Sequence, residues 1–178
     1  MSQHLREAGR LKRGPLSLRS ARRCTAALVL TVALCGCETN RRSGGAGLGL
    51  ASNGGVVAFA NICSGQVDRL EIWHSEHGKE VSDGTLSSAM PSKGRVLVSL
   101  DHPEKSGWAR NSGSGVIEHG VSYHVNFADH GNNWFASAGP ISSDIVFALR
   151  PGDGIAGSGG RINTGPISGL LGTGPLAC

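Results

Sequence analysis

The chain has 178 residues, 28 of them glycine, with 17% charged side chains and a formal net charge of +4. The charge is lopsided: residues 1–27 carry seven Lys/Arg and one acid, while residues 28–178 carry ten Lys/Arg and twelve Asp/Glu. The bulk of the chain is therefore slightly acidic and lacks the basic stripe that neutralises phosphates, which excludes nucleic acid as a partner.

Arg22-Arg23 precede a short apolar run, Ala26–Leu34. A basic segment followed by such a run and small residues has the composition of a secretory signal. The run is too short for a spanning helix, which needs about 20 apolar residues. It ends in Leu34-Cys35-Gly36-Cys37. This segment resembles the lipobox of bacterial lipoproteins, with Leu at −3, a small residue at −1 and Cys at +1. Cys35 stands at −2, where the family more often has a small residue without a thiol. The resemblance is confined to residues 1–37 and implies cleavage before Cys37, acylation of Cys37 and an extracytoplasmic domain anchored to the cell membrane or outer membrane. It implies residues 1–36 as signal peptide. The basic segment before it is long for a signal, so a start of translation near Leu16 or Leu18 is one reading; Arg22-Arg23 fit twin-arginine export poorly. The 142 residues from Cys37 onward suffice for one domain.

Residues 37–54 are rich in Gly, Ser and Asn and read as a flexible tether, because such a composition offers little apolar surface against backbone entropy. Gly45, Gly47 and Gly49 lack the following Gly-Lys-Ser/Thr of a phosphate loop. The domain is predicted over 55–150. Val56–Cys63 is apolar on both faces and Val67–His74 alternates, which together predict a hairpin about Ser64-Gly65. Ser75–Gly94 is polar and punctuated, with a short strand near 80–82. Arg95–Leu100 reads as a strand and Asp101–Gly115 as a long loop. Val116–Ala128 gives the strongest alternation, with Val121, Tyr123, Val125 and Phe127 on one face. Trp134–Ala138 and Asp144–Arg150 complete a set of roughly seven strands, which predicts an all-β fold, an antiparallel β-sandwich of immunoglobulin-like or similar type. Residues 151–178 return to Gly, Pro and Ser and read as a disordered tail.

Once Cys24 and Cys35 leave with the signal and Cys37 is acylated, Cys63 and Cys178 remain, and outside the cytoplasm they are predicted to form a disulfide that pins the tail. Cys63 and Trp73 have the spacing of an immunoglobulin pair, but the second cysteine falls after all the strands.

Trp73, beside Arg69 and Glu71, and Trp108, in a Gly/Ser/Asn loop, are the candidate ligand contacts; burial under a neighbouring loop or over the end of the fold is the competing reading for each. His74 and His77 flank Glu76 and are the candidate metal ligands, although the spacing matches no established zinc pattern. Ser114, His119 and Asp129 could be assembled into a triad on paper, but no Gly-x-Ser-x-Gly is present. Asp101 and Glu104 flank Pro103 and read as a solvated loop before a glycosidase pair. The sequence therefore predicts a non-catalytic binding or structural module at the cell envelope, attached to the membrane by lipid, taking a protein or small-molecule ligand and no cofactor. Metal binding through His74/His77 and an envelope hydrolase are the alternatives.

Overall fold

The computed structural model describes residues 44–131, 133–158, 161–172 and 176–178. The predicted signal peptide, the Cys37 acylation site and the start of the tether lie outside the described residues.

Eight strands follow: β1 (Gly44–Leu50), β2 (Val56–Glu76), β3 (Lys79–Ser99), β4 (Trp108–Gly113), β5 (Ser122–Ala128), β6 (Trp134–Ser142), β7 (Asp153–Ser158) and β8 (Arg161–Pro166). A 3-10 turn spans Pro103–Ser106, and two short helices, α1 (Ser143–Phe147) and α2 (Ile167–Gly172), follow β6 and β8. All eight strands belong to one sheet ordered β4-β3-β2-β5-β6-β1-β7-β8. β1 also pairs with β2, so β2, β5, β6 and β1 close into a four-stranded barrel. The all-β prediction holds. In place of the two facing sheets of an immunoglobulin-like sandwich there is one sheet curled on itself, and the cause is β2. This 21-residue strand pairs with β1 through its first half and with β5 through its second, while β3 runs along its other edge.

The predicted hairpin at Ser64-Gly65 is instead a bulge within β2. Ile62 pairs with Gly94 and Val67 with Ser92, so residues 63–66 face a single residue of β3. Directly afterwards the irregularity changes sides: Val67 pairs with Ser92 and Arg69 with Ser87, so Asp68 faces the four residues Ser88–Pro91. Paired irregularities of this kind bend strands and re-aim side chains. Pro91, which has no N–H to give a ladder, sits where no ladder bond is needed. The true turn is at His77-Gly78, both at positive φ (50° and 76°), between the paired Glu76 and Lys79. That two-residue turn with positive φ at both positions is the geometry that matches strand twist.

The main core lies inside the curl. Leu48 of β1, Leu70 and Ile72 of β2, Val98 of β3, and Val125 and Phe127 of β5 are fully buried there. A second, smaller core lies on the opposite face of β1, β2 and β7, where Phe59, Ala156, Leu170, Leu171 and Leu176 pack together. Two predictions fail at this second core. The tether's residues 44–50 form the central strand β1, with Gly45–Leu50 all buried, and the predicted tail folds as β7, β8 and α2. The physical reason is a division of faces. Ala46, Leu48 and Leu50 point into the main core, while Gly45, Gly47 and Gly49 leave room on the other face for side chains supplied from elsewhere. The Phe59 ring takes that room: a methyl at Gly154 would lie 2.6 Å from its Cε1. An aromatic side chain covering cross-strand glycines offsets their lack of apolar surface, and Phe59 pairs directly with Gly47.

The buried Asn61 donates from Nδ2 to the carbonyls of Leu176 at 2.8 Å and Leu171 at 3.3 Å. The Cys63–Cys178 disulfide then closes the tail onto the bulge of β2, as predicted, with a Cα–Cα distance of 5.2 Å. Asp144–Arg150 is not a strand: residues 143–147 are helical, and Val146 is fully buried while its neighbour Ile145 is exposed. The predicted loop at 101–115 contains β4, paired with β3 from Gly84 to Ser88.

Candidate functional site

The two offset irregularities open a groove in the side of the sheet. Its floor is Asp68 of β2 and one wall is the bulged Ser88–Pro91 of β3, with Ala89 and Pro91 facing in. The opposite wall is Trp108 and Ala109 of β4, with Glu104 at the rim, and the space enclosed is about 600 Å³. A second groove of about 480 Å³ shares Asp68 and Pro91 and runs on past Gly65, Gln66 and Asp129. His130 lines both grooves.

His130 sits in the β5–β6 turn, and its Nδ1 reaches back across 62 positions to Oδ2 of Asp68 in a short contact. The turn itself is held by Asp129, whose carboxylate accepts from the Asn133 backbone N–H at 2.8 Å and its side-chain amide at 2.9 Å. These bonds hold the Asp129 carboxyl below its usual pKa, the side-chain bond from Asn133 first among them. The Asp68 carboxylate is only 10% exposed whereas the His130 imidazole is 81% exposed, so the acid is fixed and the base is on the outside. Asp68 Oδ1 is buried with no hydrogen-bond partner. A buried carboxylate oxygen without a partner is costly, and each such atom in a folded protein asks for an explanation.

Trp108 is buried, 3% exposed, with its indole edge-on to Phe127 at 6.3 Å. It serves as packing over the core and as a wall of the groove, not as the exposed contact on a loop. Trp73 is half-buried on the outer face, stacked on His124 at 3.9 Å with the rings 5° from parallel. With the Asn126 amide oriented to suit its neighbours, the indole N–H donates to Asn126 Oδ1 at 2.8 Å. Its polar handle is thus already engaged, and Trp73 and Trp108 lie in different settings.

His74 and His77 do not form a pair. His74 turns its Nδ1 to Asp83 Oδ2 at 2.8 Å beside the ring of Tyr123, while His77 occupies the β2–β3 turn with its side chain 91% exposed. Among the described residues no group of three or more His, Cys, Asp or Glu is placed to hold a metal ion. Burial raises the pKa of Tyr123, whose hydroxyl accepts from the Glu118 N–H at 2.9 Å. Ser114, His119 and Asp129 are each engaged elsewhere: Ser114 Oγ with the Val116 N–H, His119 with Asp144 and Phe147, and Asp129 with Asn133. Asp101 accepts from the Val56 N–H at 3.1 Å and thereby ties the β1–β2 turn to the end of β3.

Burial under the Trp73 stack lowers the His124 pKa, against a smaller opposing pull from Glu80. The unfolded chain, with a His pKa of about 6.5, therefore binds more protons than the folded one below that value. Stability from this group is fully present above pH of about 6.5 and is lost as pH falls through the lower folded pKa. Thermal melts from pH 8 to pH 5 test this. His124→Phe, which keeps a ring on Trp73, is expected to lose less of its melting temperature on acidification than the wild type; parallel losses would refute it.

The sequence reading missed Asp68, and it could hardly have done otherwise. A lone Asp between Val67 and Arg69 looks like an ordinary strand residue; its partner is far along the chain, and the register change opposite it comes from β3. Compared with known proteins, the chain matches no family model, no curated protein and no solved structure.

Proposed function

We propose that this chain is a lipid-anchored envelope protein whose β domain is a non-catalytic binding module, with its ligand seated in the groove over Asp68. The observation that carries the binding half is the groove itself. Irregularities in two adjacent strands set a nine-tenths buried carboxylate, capped at Oδ2 by the exposed His130, between apolar walls. Concave, mostly apolar sites with a few fixed polar groups are where ligands bind. The extracytoplasmic half is supported by the Cys63–Cys178 disulfide, which belongs to an oxidising compartment. The anchor rests on the lipobox resemblance at Cys37. A non-catalytic role is favoured because the described groups with shifted pKa values lie in different settings: Tyr123 in the main core, His124 in the stack on Trp73 and Asp129 in the β5–β6 turn.

Two measurements test the reading. Labelled palmitate is expected to enter the wild-type chain and not Cys37→Ser; equal labelling would remove the anchor. A fragment screen read by backbone amide shifts is expected to move Ser87, Ser88, Ala89, Met90, Ser92, Trp108 and His130 together; hits scattered over the sheet, or none at these amides, would end the groove's role.

A further inference from the structure

We propose that the Asp68 groove takes an aliphatic ammonium group, such as the side chain of a lysine. This rests on the groove being the binding site and names the chemistry it selects. Three features point to it. First, Asp68 and Glu104 line the larger groove and Asp68 and Asp129 the smaller one, and no Lys or Arg lines either. The ligand therefore meets three carboxylates, answered within the protein only from beside them: His130 on Asp68, His102 at 3.4 Å from Glu104, and the charge of Arg69 acting on Asp129. Second, Asp68 Oδ1 is sealed inside the protein, which leaves Oδ2, on which the exposed His130 rests, as the one carboxylate oxygen a ligand can reach. A single reachable acceptor suits a point-like N–H donor; the forked guanidinium of arginine asks for both oxygens. Third, the walls above the carboxylate are Ala89, Pro91, Trp108 and Ala109. A four-carbon stem lies along such surface while its charged end reaches a polar site.

His130 is the movable part. Its imidazole is exposed and lies on a turn, so it can swing aside or share the carboxylate as the ammonium settles on Oδ2. No bond is made or broken; the ligand is held by a charge-assisted hydrogen bond and by burial of its stem.

The test is calorimetric titration of the full chain with lysine capped by amides at both ends, with n-butylammonium, and with the equally capped norleucine as the neutral control. Capped lysine is expected to bind saturably at one site and norleucine not to bind. If n-butylammonium binds as well, the amine end alone is recognised; if only capped lysine binds, the ligand is a lysine within a polypeptide. Asp68→Asn is expected to weaken capped lysine about tenfold or more, since a hydrogen bond to a buried charge is lost. Glu104→Gln, on the exposed rim, is expected to weaken it only about twofold to fivefold. Norleucine binding as tightly as lysine would overturn the ammonium and leave the groove as a site for apolar ligands. No binding by either amine would overturn the ammonium outright, with the fragment screen deciding separately on the groove. Should Asp68→Asn fail to fold, the lysine–norleucine comparison on the wild type decides alone.

Discussion

Removing the Cys63–Cys178 bond is expected to cost roughly 2–5 kcal/mol, which for a domain of this size lowers the melting temperature by on the order of 10 °C. The bond spans 115 positions, so in the chain-entropy model it constrains the unfolded state by about 4–5 kcal/mol. The folded state has a further stake in it. The C-terminal segment supplies Leu170, Leu171 and Leu176 to the second core, and its carbonyls satisfy the buried Asn61 amide. If the tail leaves, Phe59 loses its cover and Asn61 loses its acceptors, and burying an amide without partners costs about 1–3 kcal/mol. The double variant Cys63→Ser/Cys178→Ser, melted beside the wild type with and without reductant, measures the effect. Hydrogen exchange should place it: amides of 167–172 and of β7 exchange faster in the variant, while those of β2 and β5 around Leu70 and Val125 keep their protection. A melting temperature unchanged by reductant would show that the tail holds by packing alone.

What the sequence could show followed from where each strand's apolar surface comes from. β5 was legible because Tyr123, Val125 and Phe127 carry their own alternation into one core. The end of β3 was legible for the same reason, at Val96 and Val98, and the start of β2 because Val56–Ile62 is apolar on both faces and buried on both. β1 and β7 were not, because Gly45, Gly47, Gly49 and Gly154 register as missing hydrophobicity when they are in fact space for Phe59, Ile167 and Leu176. Composition cannot distinguish glycine that is free from glycine that is pressed upon. The same blindness hid the groove. Ser64-Gly65 and Pro91 look like ends of strands, and only the pairing shows two strands passing through them out of step. Asp68 becomes special at that mismatch. The cysteines were legible because their chemistry depends on number and compartment rather than on neighbours.

Gly47→Ala separates the tether from the strand most directly. In a flexible tether the added methyl would restrict only the unfolded chain, and stability would be unchanged or rise by about 0.4–1 kcal/mol. In β1 it would stand 2.5 Å from Phe59 Cζ and closer still to the backbone carbonyl of Ile155. The ring can shift, but the carbonyl belongs to the β1–β7 ladder, where Gly47 pairs with Ala156 and Leu48 with Ile155, and it can move only by opening the sheet. Overpacking of this kind costs about 1–3 kcal/mol, and more where backbone must yield. The expected result is a loss above about 2 kcal/mol in chemical denaturation. Gly169→Ala in α2 is the control: nothing lies within 4 Å of its added methyl, so it should be neutral or gain up to about 1 kcal/mol from helix propensity. Gly47→Ala combined with Phe59→Leu should recover part of the loss, the part due to the ring, and leave the part due to the carbonyl. A Gly47→Ala chain as stable as the wild type would detach β1 from the sheet and reopen the barrel. The closed circuit, the second core and the seat of the C-terminal tail all depend on that one hydrogen side chain.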